Sequence, residues 1–274
     1  MSKSFGMVER AMLENLRQRI TWQRIPVDEL RIIQPRREMK IALVYAVFFV
    51  FLAVIIGYLI KIKPLPFLGA ASLTDDVWYV FVFKIGFLLI VPCVWFYRQG
   101  YTIHDLMPSW KLEFKSIIVL VLALFAGLSL NLLQGHLNLI VSAAENFSTS
   151  EYFARIVTGI VIALVQAGFP EEFVFRGILQ TRIEKVYGRI PAISITVLLF
   201  TAWHIPTRYF LSHGVEGTAG DLISVVLGTG IPVMISALIF GLIWDRYRCF
   251  LPLVAAHWGV DMLPSVLSYL GIVY

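Results

Sequence analysis

Apolar runs about 20 residues long recur from residue 41 almost to the end of this chain, and they constrain its fold more than any other feature. An α-helix rises about 1.5 Å per residue, so a run of that length matches the hydrocarbon thickness of a bilayer. Lipid offers no partner to backbone amides, whereas a helix satisfies them within the segment, so each run is read as a membrane helix. Seven are legible, at residues 41–60, 77–97, 114–133, 153–169, 191–204, 222–244 and 251–273. The fifth is too short to cross unless it is tilted or lies deep among other helices, and the 171–185 segment before it is also placed to dip into the membrane. The expected architecture is an all-α, polytopic transmembrane helical bundle with seven to eight membrane helices. Composition agrees, with 58% hydrophobic and 15% charged residues, against roughly 45–50% and 25% in an average soluble domain.

The division expected is a polar, basic head at 1–40 and a membrane domain at 41–274, with no polar stretch long enough for a second soluble domain. In the head, Val8, Met12, Leu16 and Ile20 recur at helical spacing among charges. That is the pattern of an amphipathic helix on a membrane surface, or of a loosely ordered tail. No short apolar core precedes a small-residue cleavage site, so the 41–60 run is expected to act as a signal anchor. Basic residues alternate between loops. The head, the Arg98–Lys111–Lys115 loop, the Arg182–Lys185–Arg189 segment and the Arg246–Arg248 turn are rich in them, while the intervening loops are poor. By the bias of cytoplasmic loops towards Lys and Arg, the chain is a multi-pass membrane protein with its N-terminus in the cytoplasm. The net charge of +5 flanks apolar spans instead of interleaving with exposed aromatics, so the bilayer and its anionic headgroups are the expected partner and nucleic acid is not. Cys93 and Cys249 lack metal-binding or redox spacing and read as small buried hydrophobes.

A charge at the centre of a membrane helix costs roughly 2.5–3.5 kcal/mol on insertion scales, so such residues are expected to face a bundle interior or a wet cavity. Three clusters qualify. Pro170, Glu171, Glu172 and Arg176 follow one apolar run, Phe200 and His204 end another, and His257 and Asp261 lie inside the last. Pro170 suits a first helical turn, which would put both carboxylates near the positive end of a helix dipole. At about 100° per residue Glu172 and Arg176 share a face, while Glu171 points about 140° away from Arg176. Glu172 is then the ion-pair partner and Glu171 is free to address a cavity. His257 and Asp261 are four apart, a spacing at which a carboxylate can fix an imidazole's tautomer. Lys84 and Arg155, also in or beside spans, are expected to snorkel or to pair across helices. Together the three clusters can hydrolyse an amide, which needs a base for water, an electrophile for the carbonyl oxygen and a proton for the leaving amine. Glu171, His204 and His257 could equally hold a zinc ion that activates water, and the sequence leaves that choice open.

The ordered set of a paired glutamate with arginine (Glu171, Glu172, Arg176), then Phe200 with His204, then His257 with Asp261, each on a separate helix, resembles the CAAX protease and bacteriocin-processing family, also called the Abi family. The resemblance covers about 153–273. It implies an intramembrane endopeptidase of glutamic or metallo type, similar to the type II CAAX prenyl endopeptidase. Its substrate would be a membrane-associated or lipidated peptide or protein. It further implies that Glu171 and His204 activate water, that His257 and Asp261 serve the oxyanion, and that Arg176 supports the site through Glu172. The chain departs from the family's commoner asparagine at Asp261; an ionised aspartate cannot donate to an oxyanion, so Asp261 is expected to orient His257 instead. The alternatives are a catalytically silent member acting as a membrane regulator or immunity protein, and a transporter or proton channel.

Overall fold

The computed structural model describes residues 26–62, 79–106, 136–212 and 216–272, with isolated positions 118, 121, 122, 124, 125 and 129. Among the described residues all regular structure is helical. The amphipathic pattern of the head at Val8 to Ile20 and most of the 114–133 run lie outside them. Six long helical runs are seen: α1 (Pro35–Ile62), α2 (residues 79–98), α3 (Thr149–Tyr187), α4 (Arg189–Leu211), α5 (Leu222–Tyr247) and α6 (Phe250–Tyr269). Among the described residues α1, α3, α4, α5 and α6 are long and apolar enough to cross a membrane.

The two faces of α1 show how the sequence sorts itself. Ala42, Ala46, Phe49, Ala53 and Ile56 are buried and recur at three- and four-residue steps, a seam that packs against α4. Val44, Phe51 and Ile55 on the opposite side are exposed, a distribution that makes sense against lipid and not against water. Small residues let the backbones close up: a Cβ on Gly57 would lie 2.8 Å from Phe210 Cδ2 and 3.2 Å from the Pro206 carbonyl oxygen. α6 packs against the first half of α3, and α4 against α5. The protein is an integral membrane protein built as an all-α bundle.

Two expectations need correction. The fifth run, read as too short at 191–204, is a 23-residue helix, Arg189–Leu211, long enough to span. Polar His204 and Thr207 and the internal Pro206 hid its continuation, yet proline inside a helix removes just one backbone donor, a loss that membrane helices tolerate when packed. Secondly, Pro170 does not begin a helix. α3 runs for 39 residues through it, with Phe169 still in the right-handed helical region. A widened turn accommodates the proline: the Phe169 amide donates to Leu164 O, five residues back, at 3.1 Å. This π-helical stretch, Leu164–Gly168, and a second, Phe173–Gln180, flank the glutamate pair. Glu171 and Glu172 therefore sit in mid-helix and not at a free N-terminus. Irregular turns of this kind are uncommon and concentrate at functional sites.

The helix ends are closed by side chains. Ser148 accepts from the Glu151 amide at 3.4 Å at the start of α3, and Asp221 accepts from the Ile223 and Ser224 amides at 3.0 and 3.1 Å at the start of α5. Arg155, left between snorkelling and pairing, binds Glu151 at 2.9 Å and caps α6 by donating to the Tyr269 carbonyl at 2.9 Å. Cys93 is half-buried and Cys249 buried, and among the described residues neither forms a disulfide.

Candidate active site

The three polar clusters come from α3, α4 and α6, and the structure brings them together. Glu172, fully buried, accepts from Arg176 Nη1 at 2.8 Å across one helical turn. The guanidinium lies over Phe200 of α4 at 4.2 Å and Phe240 of α5 at 5.5 Å, and donates to the Ala237 carbonyl at 3.3 Å. Arg176 thus joins three helices behind the glutamates. The same Glu172 Oε1 lies 2.7 Å from His257 Nδ1. With the His257 ring stacked on Phe240 at 5.1 Å and 28°, the imidazole is fixed from one face and one nitrogen. Its other nitrogen, Nε2, is then aimed at Asp261 Oδ2, 3.3 Å away, and at Glu171 Oε2, 3.8 Å away.

Glu171, one residue on from the turn that carries Pro170, is 1% exposed and faces the other way from Arg176. Its Oε1 is bonded to Lys84 Nζ of α2. Among the described residues its Oε2 has no hydrogen-bond partner, and it lies 3.7 Å from His204 Nε2. His204 Nδ1 is 2.8 Å from the Phe200 carbonyl oxygen, an atom that can only accept, so Nδ1 carries the hydrogen. The neutral ring consequently offers a bare Nε2 towards Glu171. Trp203 and Phe200 flank the imidazole, each with ring centroids 4.6 Å from it. The cluster is closed on the Glu171 and Glu172 side, whereas the side chains of His204 and Asp261 are 19% and 39% exposed and line its open side.

Sequence reasoning places all six expected residues, Glu171, Glu172, Arg176, His204, His257 and Asp261, and the coordinates bring the six into one contact network. One contact was missed, and one pairing was left without a partner or a role. Glu172 was read as the partner of Arg176, but it also holds His257; no spacing rule connects residues 85 positions apart. Lys84 was assigned no chemical role, although a buried lysine within an apolar run is itself a signal.

The three residues considered as zinc ligands meet, but Glu171 is committed at one oxygen and His257 at both ring nitrogens. The Lys84 ammonium holds one oxygen of Glu171, and both ring nitrogens of His257 face carboxylates. Among the described residues no group of three His, Cys, Asp or Glu side chains is disposed to hold a metal ion. The residues as arranged do not fit a zinc site.

Comparison with known proteins adds one finding. No curated protein and no solved structure matches the chain. Residues 153–263 match the family described as Type II CAAX prenyl endopeptidase Rce1-like, and this segment contains every member of the cluster except Lys84. The C-terminal helical core of this membrane protein is thus similar, over residues 153–263, to the Rce1-like, CAAX-protease family.

Proposed function

We propose that the protein is an intramembrane endopeptidase that hydrolyses a peptide bond of a membrane-associated or lipidated substrate with water activated by Glu171 and His204. The observation that carries this reading is the pair of bare acceptors, Glu171 Oε2 and His204 Nε2, 3.7 Å apart. Two acceptors cannot bond to each other, but one water can donate to both at about 2.8 Å each, leaving a lone pair free for attack. Glu171 takes a proton as the water oxygen bonds to the scissile carbonyl carbon. Negative charge then develops on the carbonyl oxygen, and His257 Nε2–H is the donor placed beside it. Both nitrogens of His257 face carboxylates, so the ring satisfies Glu172 and Asp261 together when both carry hydrogens. Asp261 serves as an acceptor that aims the ring. When the carbon–nitrogen bond breaks, Glu171 returns its proton to the leaving amine and the second water hydrogen stays on the new carboxyl group, giving a carboxylic acid and an amine that ionise to carboxylate and ammonium.

On this reading the working core is about 153–273, the head at 1–40 lies on the cytoplasmic side, and the substrate reaches the cluster along the side lined by His204 and Asp261. Cleavage of a quenched-fluorescent, lipidated peptide by the protein in detergent tests it. Glu171→Gln, which keeps the shape and removes the base, is expected to lower the rate by about 10²–10⁴-fold. His204→Ala and His257→Ala should each lose most of the activity. Undiminished cleavage by Glu171→Gln would remove the proposed base and with it the mechanism.

A further inference from the structure

Lys84 lies on α2, outside the segment that carries the family match. Its side chain is buried, its ammonium binds Glu171 Oε1, and the same ammonium stands 4.2 Å from the centre of the Trp203 ring. Trp203 is the neighbour of His204, and its ring also stacks on Phe175 of α3 at 5.5 Å and packs on Phe49 of α1 at 5.3 Å. One ammonium therefore ties α2 to the glutamate of α3 and to the helix that supplies the histidine. Seated between a carboxylate oxygen and an aromatic face, it has little freedom to move.

This geometry has a chemical consequence. A carboxylate with both oxygens free can rotate about its last torsion and present either to water, and the broad, two-fold character of that torsion offers little resistance. Here Oε1 is occupied by the ammonium, so Oε2 alone faces the two imidazoles, at 3.7 and 3.8 Å. We infer that Lys84 is a positioning residue for the peptidase site: it clamps one oxygen of Glu171 so that the other points at the water shared with His204, and it supplies the positive charge that makes a buried carboxylate tolerable. The inference rests on the reading of Glu171 as the base. It extends the functional unit beyond the matched domain, to α2.

Steady-state cleavage by Lys84→Met and Lys84→Arg, beside wild type and Glu171→Gln, tests it. Mis-aiming a reacting group by about 1 Å costs on the order of 10²-fold, so Lys84→Met is expected to lose about that much in kcat while KM stays within about threefold, because Lys84 faces the base and not the open side. Lys84→Arg keeps a cation against Glu171 and is expected to exceed Lys84→Met in kcat by about tenfold or more. A purely structural lysine would instead lower the yield of folded protein and leave kcat per folded molecule unchanged. Should Lys84→Met not be recovered folded, Lys84→Gln, neutral but still a donor, carries the same expectation. Wild-type kcat in a neutral variant, or equal loss in the neutral and arginine variants, overturns the proposal. If Glu171→Gln is fully active, the peptidase reading fails first; if it is inactive while Lys84→Met is normal, the role of Lys84 alone fails.

Discussion

Arg176→Met perturbs the framework behind the site without touching the proposed base or nucleophile. Arg176 and Glu172 are both fully buried, 2.8 Å apart, and the substitution leaves Glu172 charged in the interior with His257 as the partner that remains. Removing one member of a buried ion pair costs about 3–5 kcal/mol. The lost hydrogen bond to Ala237 O is long, at 3.3 Å, and adds little that the pair energy does not already contain. The stacking between Phe200 and Phe240 is partly retained, since a methionine thioether packs well on aromatic rings. About 3–5 kcal/mol is therefore the expected loss, a large part of a total stability of roughly 5–15 kcal/mol. Replacing both partners, Arg176→Met with Glu172→Leu, removes both charges, and His257 can then adopt a neutral tautomer. That double variant is expected to lose no more than about 2 kcal/mol, so the two changes are coupled by at least about 2 kcal/mol. Unfolding in mixed micelles, followed by the fluorescence of the seven tryptophans, measures each corner of the cycle. A double variant whose loss equals the sum of the two single losses within about 0.5 kcal/mol refutes the argument, because the guanidinium would then be acting as a spacer between two rings.

Three further outcomes are expected. Because Lys84 holds one oxygen of Glu171 while Glu172 and Asp261 hold both nitrogens of His257, prolonged chelation with dialysis should leave peptide cleavage within about twofold of untreated protein; loss on chelation with recovery on adding zinc would show the donors rearranging around a metal. A Cβ on Gly159 would stand 2.6 Å from Val266 Cα, so Gly159→Ala should force α3 and α6 apart and lower stability by about 1–3 kcal/mol, measured by thermal unfolding in detergent. Outside the spans, burial and then the hydrogen bond to Glu38 push the Tyr101 phenol up to about 12. The folded state keeps a proton that the unfolded state releases, so this contribution is intact below about pH 10 and is lost as pH rises towards 12. Tyr101→Phe should flatten that alkaline decline relative to wild type in pH-dependent unfolding.

Much of this was legible because membrane physics writes itself into sequence at short range. Run length located α1, α5 and α6, and helical spacing alone separated Glu172, beside Arg176, from Glu171 on another face. The failures have equally local causes. Polar residues that line a cavity look like a helix end to any measure of apolarity, so α4 was cut at His204 although it continues to Leu211. Pro170 looks like a helix start, because the i→i−5 bond from Phe169 to Leu164 that lets the helix absorb it leaves no mark in composition. The partners of His257 and Glu171 come from residues 85 and 87 positions away, at Glu172 and Lys84, and such tertiary contacts have no periodicity to betray them.

The charges of the cluster explain why one histidine differs from the other. Glu171, Glu172 and Asp261 bring three carboxylates into a space where an unpaired charge is expensive, and Lys84 and Arg176 answer two of them. His257 has a carboxylate at each ring nitrogen, Glu172 at Nδ1 and Asp261 at Nε2. His204 faces a backbone carbonyl at Nδ1, which places a hydrogen there, so that the neutral ring turns its lone pair towards Glu171. Two histidines of identical chemistry are thus divided by their neighbours into a donor and an acceptor. On the proposed mechanism water activation uses the acceptor and oxyanion stabilisation the donor, and that division of labour would follow from which polar atoms the bundle buries beside each ring.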